Sequence, residues 1–206
     1  VRAPRADLKM MIEKDIEPTA PLQVPFITHW LHNMNEDKIL NYIQSVGFTN
    51  TASEKLKIIY VPCYLDGQGG IFNKTYYDML IGMDVTVYPS YYEPWGYTPL
   101  ESVAFGIPTI TTDLAGFGLW AKRTVSGDDI NEGVVVINRT DFNYFEVAES
   151  IMNVVLALSQ MDAAAIERIK RRCFDLARKA EWSKFINYYL EAFDKATRRA
   201  EERNKG

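Results

Sequence analysis

The stretch from Val85 to Thr112, VTVYPSYYEPWGYTPLESVAFGIPTITT, decides the fold because it places a helix between two apolar strands. The short runs Val85–Tyr88 and Pro108–Thr112 are rich in β-branched residues and predict strands. Between them, Thr98–Phe105 has the apolar spacing of a helix. A strand, a helix and a second strand in this order are typical of a parallel sheet covered by helices.

The same alternation extends to both sides of this stretch. Toward the N-terminus, the pattern predicts strands at Phe26–Trp30 and Leu56–Val61 and helices at Asn35–Val46 and about Asn73–Gly82. Toward the C-terminus, Gly133–Ile137 predicts one more strand. We therefore predict the α/β class, with a Rossmann-like, doubly wound parallel sheet flanked by helices.

The two ends of the chain differ from this α/β centre. Near the N-terminus, Pro4–Glu17 predicts a short helix, and the prolines that follow predict an extended connector. The C-terminal part predicts three helices, at Phe145–Leu158, Asp162–Ala180 and Trp182–Arg203. The predicted domains are thus an N-terminal helix and connector (1–25), a Rossmann-like domain (26–143) and C-terminal helices that pack on it (144–206).

Composition narrows the class of protein. The 206 residues are 47% hydrophobic and 24% charged, which excludes disordered, collagen-like and disulfide-scaffold proteins. The net charge of −4 argues against nucleic acid or an anionic membrane as a main partner. No apolar run approaches the roughly 18–20 residues of a membrane span, and no signal peptide is recognisable. We expect a cytoplasmic protein with Cys63 and Cys173 as buried, reduced thiols. The first residue is Val, so we expect the chain to be part of a longer polypeptide.

The loop after the first of these strands carries the polar chemistry. In open α/β sheets, ligands bind beyond the carboxyl ends of the strands. Thr98-Pro99-Leu100-Glu101 predicts a capping box, with Thr98 as N-cap and Glu101 three residues later. The free N–H groups of the first turn form an anion site, and Gly96 leaves room for a phosphate. Glu93 precedes the helix, where it can reach a ligand held by that turn.

Each of these features also has a purely structural interpretation. Glu101 can be a capping residue only, and Gly96 can simply form a turn. The loop is rich in aromatic residues that can cover an edge of the core, namely Tyr91, Tyr92, Trp95 and Tyr97. Local spacing alone does not decide between these interpretations and a binding site.

The longer string YPSYYEPWGYTPLESVAFGIPTITTDLAGFG, Tyr88–Gly118, closely resembles the donor-site signature of the glycogen synthases of animals and fungi. These are retaining glycosyltransferases of the GT-B fold. Thr28-His29 near the N-terminus and Glu181-Trp182 near the C-terminus are similar to further family segments, so the likeness covers roughly Pro25–Tyr189. The resemblance implies that the chain is the C-terminal, donor-nucleotide half of a GT-B fold.

The resemblance implies a role for each matching residue. Glu93 matches the glutamate that faces the donor sugar and the reacting centre, and it is the implied catalytic residue. The implied donor-binding residues are Glu101, Gly96, Tyr97, Thr98, Trp95, Tyr64 and Tyr76. Among them, Glu101 would bind the ribose, the N–H groups of Tyr97 and Thr98 the diphosphate, and the two tyrosines Tyr64 and Tyr76 the uracil ring. Gly116 and Gly118 look like a backbone turn near the same pocket.

The implied reaction is transfer of glucose from UDP-glucose to the 4-hydroxyl of an α-1,4-glucan with retention, without a cofactor. The alternatives are another retaining GT-B transferase, using ADP-glucose or another sugar nucleotide, and a non-catalytic glucan-binding or regulatory module. The family's N-terminal acceptor domain and a basic Arg/Lys pair have no counterpart in this sequence. We therefore expect the acceptor domain to be a partner within the same polypeptide and the isolated chain to be inactive. A homo-oligomer of the full-length enzyme is left open.

Two weaker candidate sites lie outside the loop. His29 and His32 are the only histidines, and no third ligand accompanies them, so no metal site is predicted. Lys170 and Arg172 belong to a basic stretch whose ordinary interpretation is a solvated helix face. Its position matches the family helix that senses glucose 6-phosphate, so the resemblance implies an allosteric site there.

Overall fold

The computed structural model describes residues 26–52, 54 and 56–204. The predicted helix Pro4–Glu17 and its connector lie outside the described residues. The chain divides into two compact units, the first ending at Met79 and the second beginning at Leu80. The predicted domains, 1–25, 26–143 and 144–206, stay predictions.

The first unit contains two short helices and the loops beside them, and the second helix ends at the boundary of the unit. A 3₁₀ turn at Met34–Glu36 leads into helix α1, Lys38–Ser45. Asp37 caps α1, since its Oδ1 accepts hydrogen bonds from the N–H groups of Ile39 and Leu40, both at 2.9 Å. Helix α2, Tyr76–Leu80, is shorter than the predicted Asn73–Gly82.

The two strands predicted in the first unit are not formed. Phe26–Trp30 and Leu56–Val61 meet in a single parallel bridge, Ile27 with Tyr60. The backbone of the second segment is instead satisfied by a side chain: the amide of Asn50 donates to Ile58 O at 2.7 Å and accepts from Ile58 N at 2.9 Å. Asn50 is fully buried, so its amide takes the place of a neighbouring strand.

The second unit contains a three-stranded parallel sheet. The strands are β1 (Thr86–Val87), β2 (Thr109–Thr112) and β3 (Val134–Ile137), and β2 lies in the middle. Thr86 pairs with Thr109, and Thr109 pairs with Val134. All four residues of β2 are buried, as expected for the central strand of a sheet covered on its faces.

Five helices accompany the sheet, α3 (Tyr97–Ala104), α4 (Gly116–Thr124), α5 (Tyr144–Ser159), α6 (Ala163–Lys179) and α7 (Trp182–Asn204). A 3₁₀ turn at Ile130–Glu132 precedes β3. The three C-terminal helices lie where the sequence predicts them. The predicted Rossmann-like α/β fold with a helical C-terminal tail is therefore confirmed.

The core of the second unit joins the sheet to the helices around it. Val103 on α3, Ile110 on β2, Phe117 on α4 and Cys173 on α6 are each at most 1% exposed. They belong to one apolar cluster. Helix α3 packs against α6, so the side of α3 that faces away from solvent is fixed by the core.

The cysteines differ from each other. Cys173 is fully buried, as predicted, but Cys63 is only half-buried, so the prediction of two buried thiols is wrong for Cys63. Burial raises the pKa of the Cys173 thiol to about 12. Within the described residues, none of the helices combines the length and the apolar character needed to cross a membrane.

Candidate functional site

The loop from Ser90 to Gly96, called here the 90–96 loop, follows β1 at the carboxyl edge of the sheet. Its first residue is tied to β2, since Thr112 Oγ1 donates to Ser90 O at 2.7 Å. Its centre is tied to the segment after β2, where Glu93 forms a parallel bridge with Ala115. The loop thus lies where ligands bind in open α/β sheets.

The start of α4 holds the second half of the loop. Glu93 N donates to Leu114 O at 3.3 Å, and Gly116 N donates back to Glu93 O at 3.0 Å. Phe117 N donates to Trp95 O at 2.6 Å. The first N–H groups of α4, which have no partner inside their own helix, are therefore satisfied by the loop.

Gly116 permits this close approach because it has no side chain. A Cβ added there would lie 3.0 Å from the carbonyl carbon of Pro94 and 3.1 Å from Cα of Trp95. The sequence predicts only a turn at Gly116 and Gly118, and this is wrong because both belong to α4. The apolar spacing of Phe117, Trp120 and Ala121 is the signal that could have predicted the helix.

The carboxylate of Glu93 lies beside the N-terminus of α3. Ser90 Oγ donates to Glu93 Oε2 at 3.5 Å, and a Cβ added to Gly96 would lie 3.5 Å from the same oxygen. Glu93 is half-buried, and its backbone is held by the hydrogen bonds to Leu114 and Gly116. This places an acid next to the helix end that the sequence predicts as an anion site.

The capping box predicted at Thr98–Glu101 is not formed. The N-cap of α3 is Gly96, with φ of 105°, and Thr98 is the second residue of the helix. Glycine adopts this left-handed conformation without strain, so the helix begins two residues earlier than Thr98 predicts. A capping box does form in the first unit, where Asp78 N donates to Thr75 Oγ1 at 3.3 Å and Thr75 N donates to Asp78 Oδ2 at 3.1 Å.

The earlier start of α3 changes which N–H groups are available. Tyr97 and Thr98 are its first two residues, and Pro99, the third, has no N–H. Among the described residues, no acceptor bonds the N–H of Tyr97 or Thr98. The helix dipole favours negative charge at this end, so the N–H groups of these two exposed residues are a candidate anion site, called here the two-donor site. The resemblance predicts diphosphate binding by these same two groups.

Glu101 lies one helical turn after Tyr97 and Thr98 and is half-buried. Residues three and four apart on a helix are neighbours on its surface. Glu101 therefore lies on the same side of α3 as the two-donor site. Because the helix begins at Tyr97, Glu101 is its fifth residue and not the N3 residue of a capping box.

The aromatic residues of the loop have different environments. The ring of Trp95 packs against Phe117, Trp120 and Phe185, with centroids 6.2, 5.9 and 5.3 Å away. The ring of Trp95 therefore covers an edge of the core, which is the structural role that the sequence predicts as one alternative for the aromatic residues of this loop. Tyr97, by contrast, is 70% exposed. A donor contact by the Trp95 side chain stays a prediction.

Tyr64 and Tyr76, the residues predicted to face a uracil ring, belong to the first unit. Tyr64 is 96% exposed, whereas Tyr76 is half-buried and its ring lies 5.3 Å from that of Tyr77. Hydrogen bonds from Thr75 hold the pKa of the Asp78 carboxyl below its usual value and stabilise the turn that carries Tyr76. Contact of Tyr64 and Tyr76 with a uracil ring stays a prediction.

His29 is a packing residue in the first unit. Its Nδ1 lies 2.7 Å from Thr28 Oγ1, and its Nε2 lies 2.9 Å from Gly69 O. Both ring nitrogens are therefore engaged, and the ring joins this segment to the glycine-rich loop 66–70. In the part of the chain that the structure describes, no three His, Cys, Asp or Glu side chains are grouped so that they could hold a metal ion.

Comparison with known proteins identifies the family of the chain. The family model described as "Glycogen synthase" matches residues 6–204. The chain belongs to the glycogen synthase family. This confirms the resemblance predicted from the 88–118 string.

Curated relatives of the family come from fungi and mammals. The chain is 30% identical to Glycogen [starch] synthase of Neurospora crassa over 176 residues, which is 85% of this chain and 25% of the relative. It is 29% identical to isoform 1 of Saccharomyces cerevisiae over 177 residues, 85% of this chain and 25% of that protein. It is 33% identical to the liver enzyme of Mus musculus over 135 residues, 66% of this chain and 19% of that protein. The chain thus spans about a quarter of the length of its fungal relatives in this family.

The second candidate site of this glycogen synthase family member lies on α6. Lys170 forms an ion pair with Glu167 at 3.1 Å and lines a groove of about 760 Å³. Arg172 is exposed and does not line this groove. Successive residues of an α-helix are rotated by about 100°, so residues two apart in sequence point to nearly opposite sides of the helix. The structure therefore does not bring Lys170 and Arg172 together on one face, and the glucose 6-phosphate site stays a prediction.

Sequence reasoning missed one more group at the carboxyl edge of the sheet. Asp113 follows β2, and its carboxylate accepts hydrogen bonds from Asn138 Nδ2 at 2.7 Å and from Arg139 N at 2.9 Å. These bonds join the segments after β2 and β3 directly beside the 90–96 loop. The sequence does contain a signal for this group, because polar residues that follow the carboxyl ends of strands lie where ligands bind. The residues concerned are Asp113, Asn138 and Arg139.

Proposed function

We propose that the chain is the donor-nucleotide half of a glycogen synthase of the GT-B fold. The enzyme would transfer glucose from UDP-glucose to the 4-hydroxyl of an α-1,4-glucan with retention. One observation supports this most directly: the unpaired N–H groups of Tyr97 and Thr98 lie at a helix N-terminus beside the carboxylate of Glu93. Family membership supports the class of reaction, glucosyl transfer.

In this proposal the two-donor site binds the diphosphate of the sugar nucleotide. Two N–H groups and the dipole of α3 stabilise the negative charge that grows on the diphosphate as the glycosidic bond breaks. Glu101, one turn further along α3, accepts hydrogen bonds from the ribose hydroxyls. Cations outside this chain complete the charge balance, and no metal cofactor is required. Turnover by the full-length protein that persists in excess EDTA supports this, and loss of turnover contradicts it.

Glu93 acts on the sugar. Retention requires the acceptor to attack from the face that the diphosphate leaves, through an oxocarbenium-like transition state. The carboxylate of Glu93 stabilises the positive charge on the sugar and orients it, without forming a covalent intermediate. Its backbone is held on both sides by the segment Leu114–Gly116, so the carboxylate needs little reorganisation during the reaction.

The test is Glu93→Gln in the full-length protein. We expect kcat to fall at least about a hundredfold, because a charge positioned at the reacting centre is a large catalytic term. The melting temperature should change little, since among the described residues the one bond to the carboxylate is the long one from Ser90. Glu149→Gln, on the exposed side of α5, is the matched control and should leave both values unchanged. A parallel loss of stability and activity in Glu93→Gln would make Glu93 a structural residue.

Two further experiments test which nucleotide base the sugar donor carries and whether the rest of the polypeptide is required. UDP should bind the full-length protein more tightly than ADP in calorimetry, and UDP-glucose should saturate turnover at lower concentration than ADP-glucose. The isolated 206-residue chain should bind UDP weakly and transfer no glucose. Transfer by the isolated chain near the full-length rate contradicts the requirement for an acceptor domain, and preference for ADP contradicts the assignment of the base.

A further inference from the structure

Arg139 is a buried cation just after β3, and the site described above does not use it. Its side chain is 8% exposed, and its Nε has no hydrogen-bond partner among the residues that the structure describes. The guanidinium carbon lies 3.8 Å from the centroid of the Tyr91 ring. Burying a charged group is costly, so a buried arginine whose main contact is an aromatic ring calls for an explanation.

The backbone that carries Arg139 is firmly attached to the sheet. Asp113 Oδ1 accepts from Arg139 N at 2.9 Å, and Asp113 N donates to Ile137 O at 3.1 Å. Asn143 Nδ2 donates to Asn138 O at 2.9 Å on the other side of the turn. The guanidinium is therefore presented to Tyr91 from a rigid base.

Tyr91 lies in the part of the 90–96 loop that backbone hydrogen bonds leave unsupported. Ser90 is fixed by Thr112, and Glu93 is fixed by Leu114 and Gly116. Between these points, the ring of Tyr91 lies under the guanidinium of Arg139. A planar guanidinium can stack on an aromatic face, and it holds its position over a ring better than a flexible ammonium does.

We propose that Arg139 is a positioning residue for Glu93. It holds the ring of Tyr91 against the sheet edge, and through Tyr91 it sets the path of the loop that carries the Glu93 carboxylate to the reacting centre. This proposal rests on the proposed function of Glu93. It adds a determinant of catalytic geometry from the segment after β3, which is 46 positions later in the chain than Glu93.

The kinetic test compares variants of both partners in the full-length protein. Arg139→Gln and Tyr91→Leu should each lower kcat about ten- to a hundredfold, because small misplacements of a reacting group have effects of this size. The KM for the sugar nucleotide should change less than about threefold, since the two-donor site on α3 is unaffected. Tyr91→Phe keeps the ring and should retain wild-type kcat. Arg139→Lys keeps the charge but not the stacking, and should resemble Arg139→Gln.

The double variant measures whether the two residues act together. If Arg139 acts through Tyr91, Tyr91→Leu combined with Arg139→Gln should be no more than about threefold worse than either single variant. Effects that multiply, or wild-type kcat in Arg139→Gln, would overturn the proposal. Wild-type kcat in both Arg139→Lys and Tyr91→Leu would also overturn the proposal, because the charge at position 139 would then matter and its contact with the Tyr91 ring would not.

A measurement of loop order separates this proposal from the proposed function. Hydrogen exchange at the amide of Glu93 should become faster in Arg139→Gln and Tyr91→Leu, but not in Tyr91→Phe or in the control Arg123→Gln on the exposed side of α4. This readout does not require turnover. If Glu93→Gln keeps full activity while exchange responds as expected, the role of Glu93 fails and the role of Arg139 in the loop stands. Unchanged exchange overturns the role of Arg139 whatever the activity.

Discussion

Replacing Gly116 with alanine tests whether the contact between α4 and the 90–96 loop sets the activity. The added Cβ would lie 3.0 Å from the carbonyl carbon of Pro94 and 3.1 Å from Cα of Trp95, and nearer still to the carbonyl oxygen of Pro94. Carbon atoms in contact lie about 3.5–4.0 Å apart, so the loop has to move by at least about 0.5 Å. Pro94 follows Glu93 directly, so the carboxylate moves with it.

The size of the effect follows from this displacement. A misplacement of about 1 Å at a reacting centre costs about a hundredfold, so we expect kcat of Gly116→Ala to fall about ten- to a hundredfold. Overpacking of a close contact costs about 1–3 kcal/mol in the free energy of unfolding. The bond from Gly116 N to Glu93 O, 3.0 Å long, is expected to lengthen or break.

The assay is the initial rate of glucose transfer by the full-length protein at saturating sugar nucleotide, with denaturant unfolding measured in parallel. Gly127→Ala is the control, because its Cβ would meet Glu132 Cγ at an ordinary 3.5 Å. This control should keep its rate and gain up to about 1 kcal/mol in stability. A wild-type rate in Gly116→Ala, measured on a sample whose Glu93 amide exchanges faster, would refute the link between loop position and activity.

The remaining predictions concern stability and thiol chemistry. Thr75→Ala should lower the free energy of unfolding by about 1 kcal/mol, because Thr75 belongs to a formed capping box, whereas Thr98→Ala should leave it nearly unchanged; equal losses in denaturant unfolding would contradict this. Asp162→Ala should also cost about 1 kcal/mol, since the Asp162 carboxylate caps α6, and an unchanged unfolding midpoint would contradict that cap. At pH 8, Ellman's reagent should modify Cys63 in the folded chain and Cys173 only after unfolding, because the Cys173 thiol, with its pKa raised to about 12, stays protonated. Folding raises this pKa, so the stabilisation of the folded state by the protonated Cys173 thiol should be complete below its ordinary pKa of 9.0 and should decrease as the pH rises toward 12. Rapid modification of both thiols in the folded chain would contradict the burial of Cys173. A free energy of unfolding that rises over this pH range would contradict it as well.

The sequence predicts the second unit well because its strands and helices alternate regularly. Val134–Ile137 and Thr109–Thr112 are formed within a residue of their predicted bounds, since β-branched runs flanked by Gly or Pro favour one structure. Leu56–Val61 fails for a different reason. An apolar run shows that a segment prefers extended backbone, but not which partner satisfies its hydrogen bonds, and here the partner is the side chain of Asn50.

The candidate site is predicted in composition but not in its construction. Thr98 and Glu101 have the spacing of a capping box, yet Gly96 adopts a left-handed N-cap and the helix begins at Tyr97. Local spacing cannot reveal this, because Thr98 and Glu101 are three residues apart whether or not Thr98 is the N-cap. The first turn of α4 and the stacking of Arg139 on Tyr91 depend on contacts between segments distant in sequence. Such contacts leave no periodic pattern from which they could be predicted.

The attachment of the 90–96 loop to α4 also bears on the timing of a catalytic cycle. The carbonyl groups of Glu93 and Trp95 accept the first N–H groups of α4, so the loop cannot lift away without breaking the start of that helix. In many transferases a mobile lid has to open before the product leaves, and the opening sets the overall rate. Here we expect the loop to stay closed through many cycles. If the chain binds a sugar nucleotide as proposed, the nucleotide product has to leave past a loop that stays in place, and we expect any slow step after the chemistry to be a larger motion of the polypeptide.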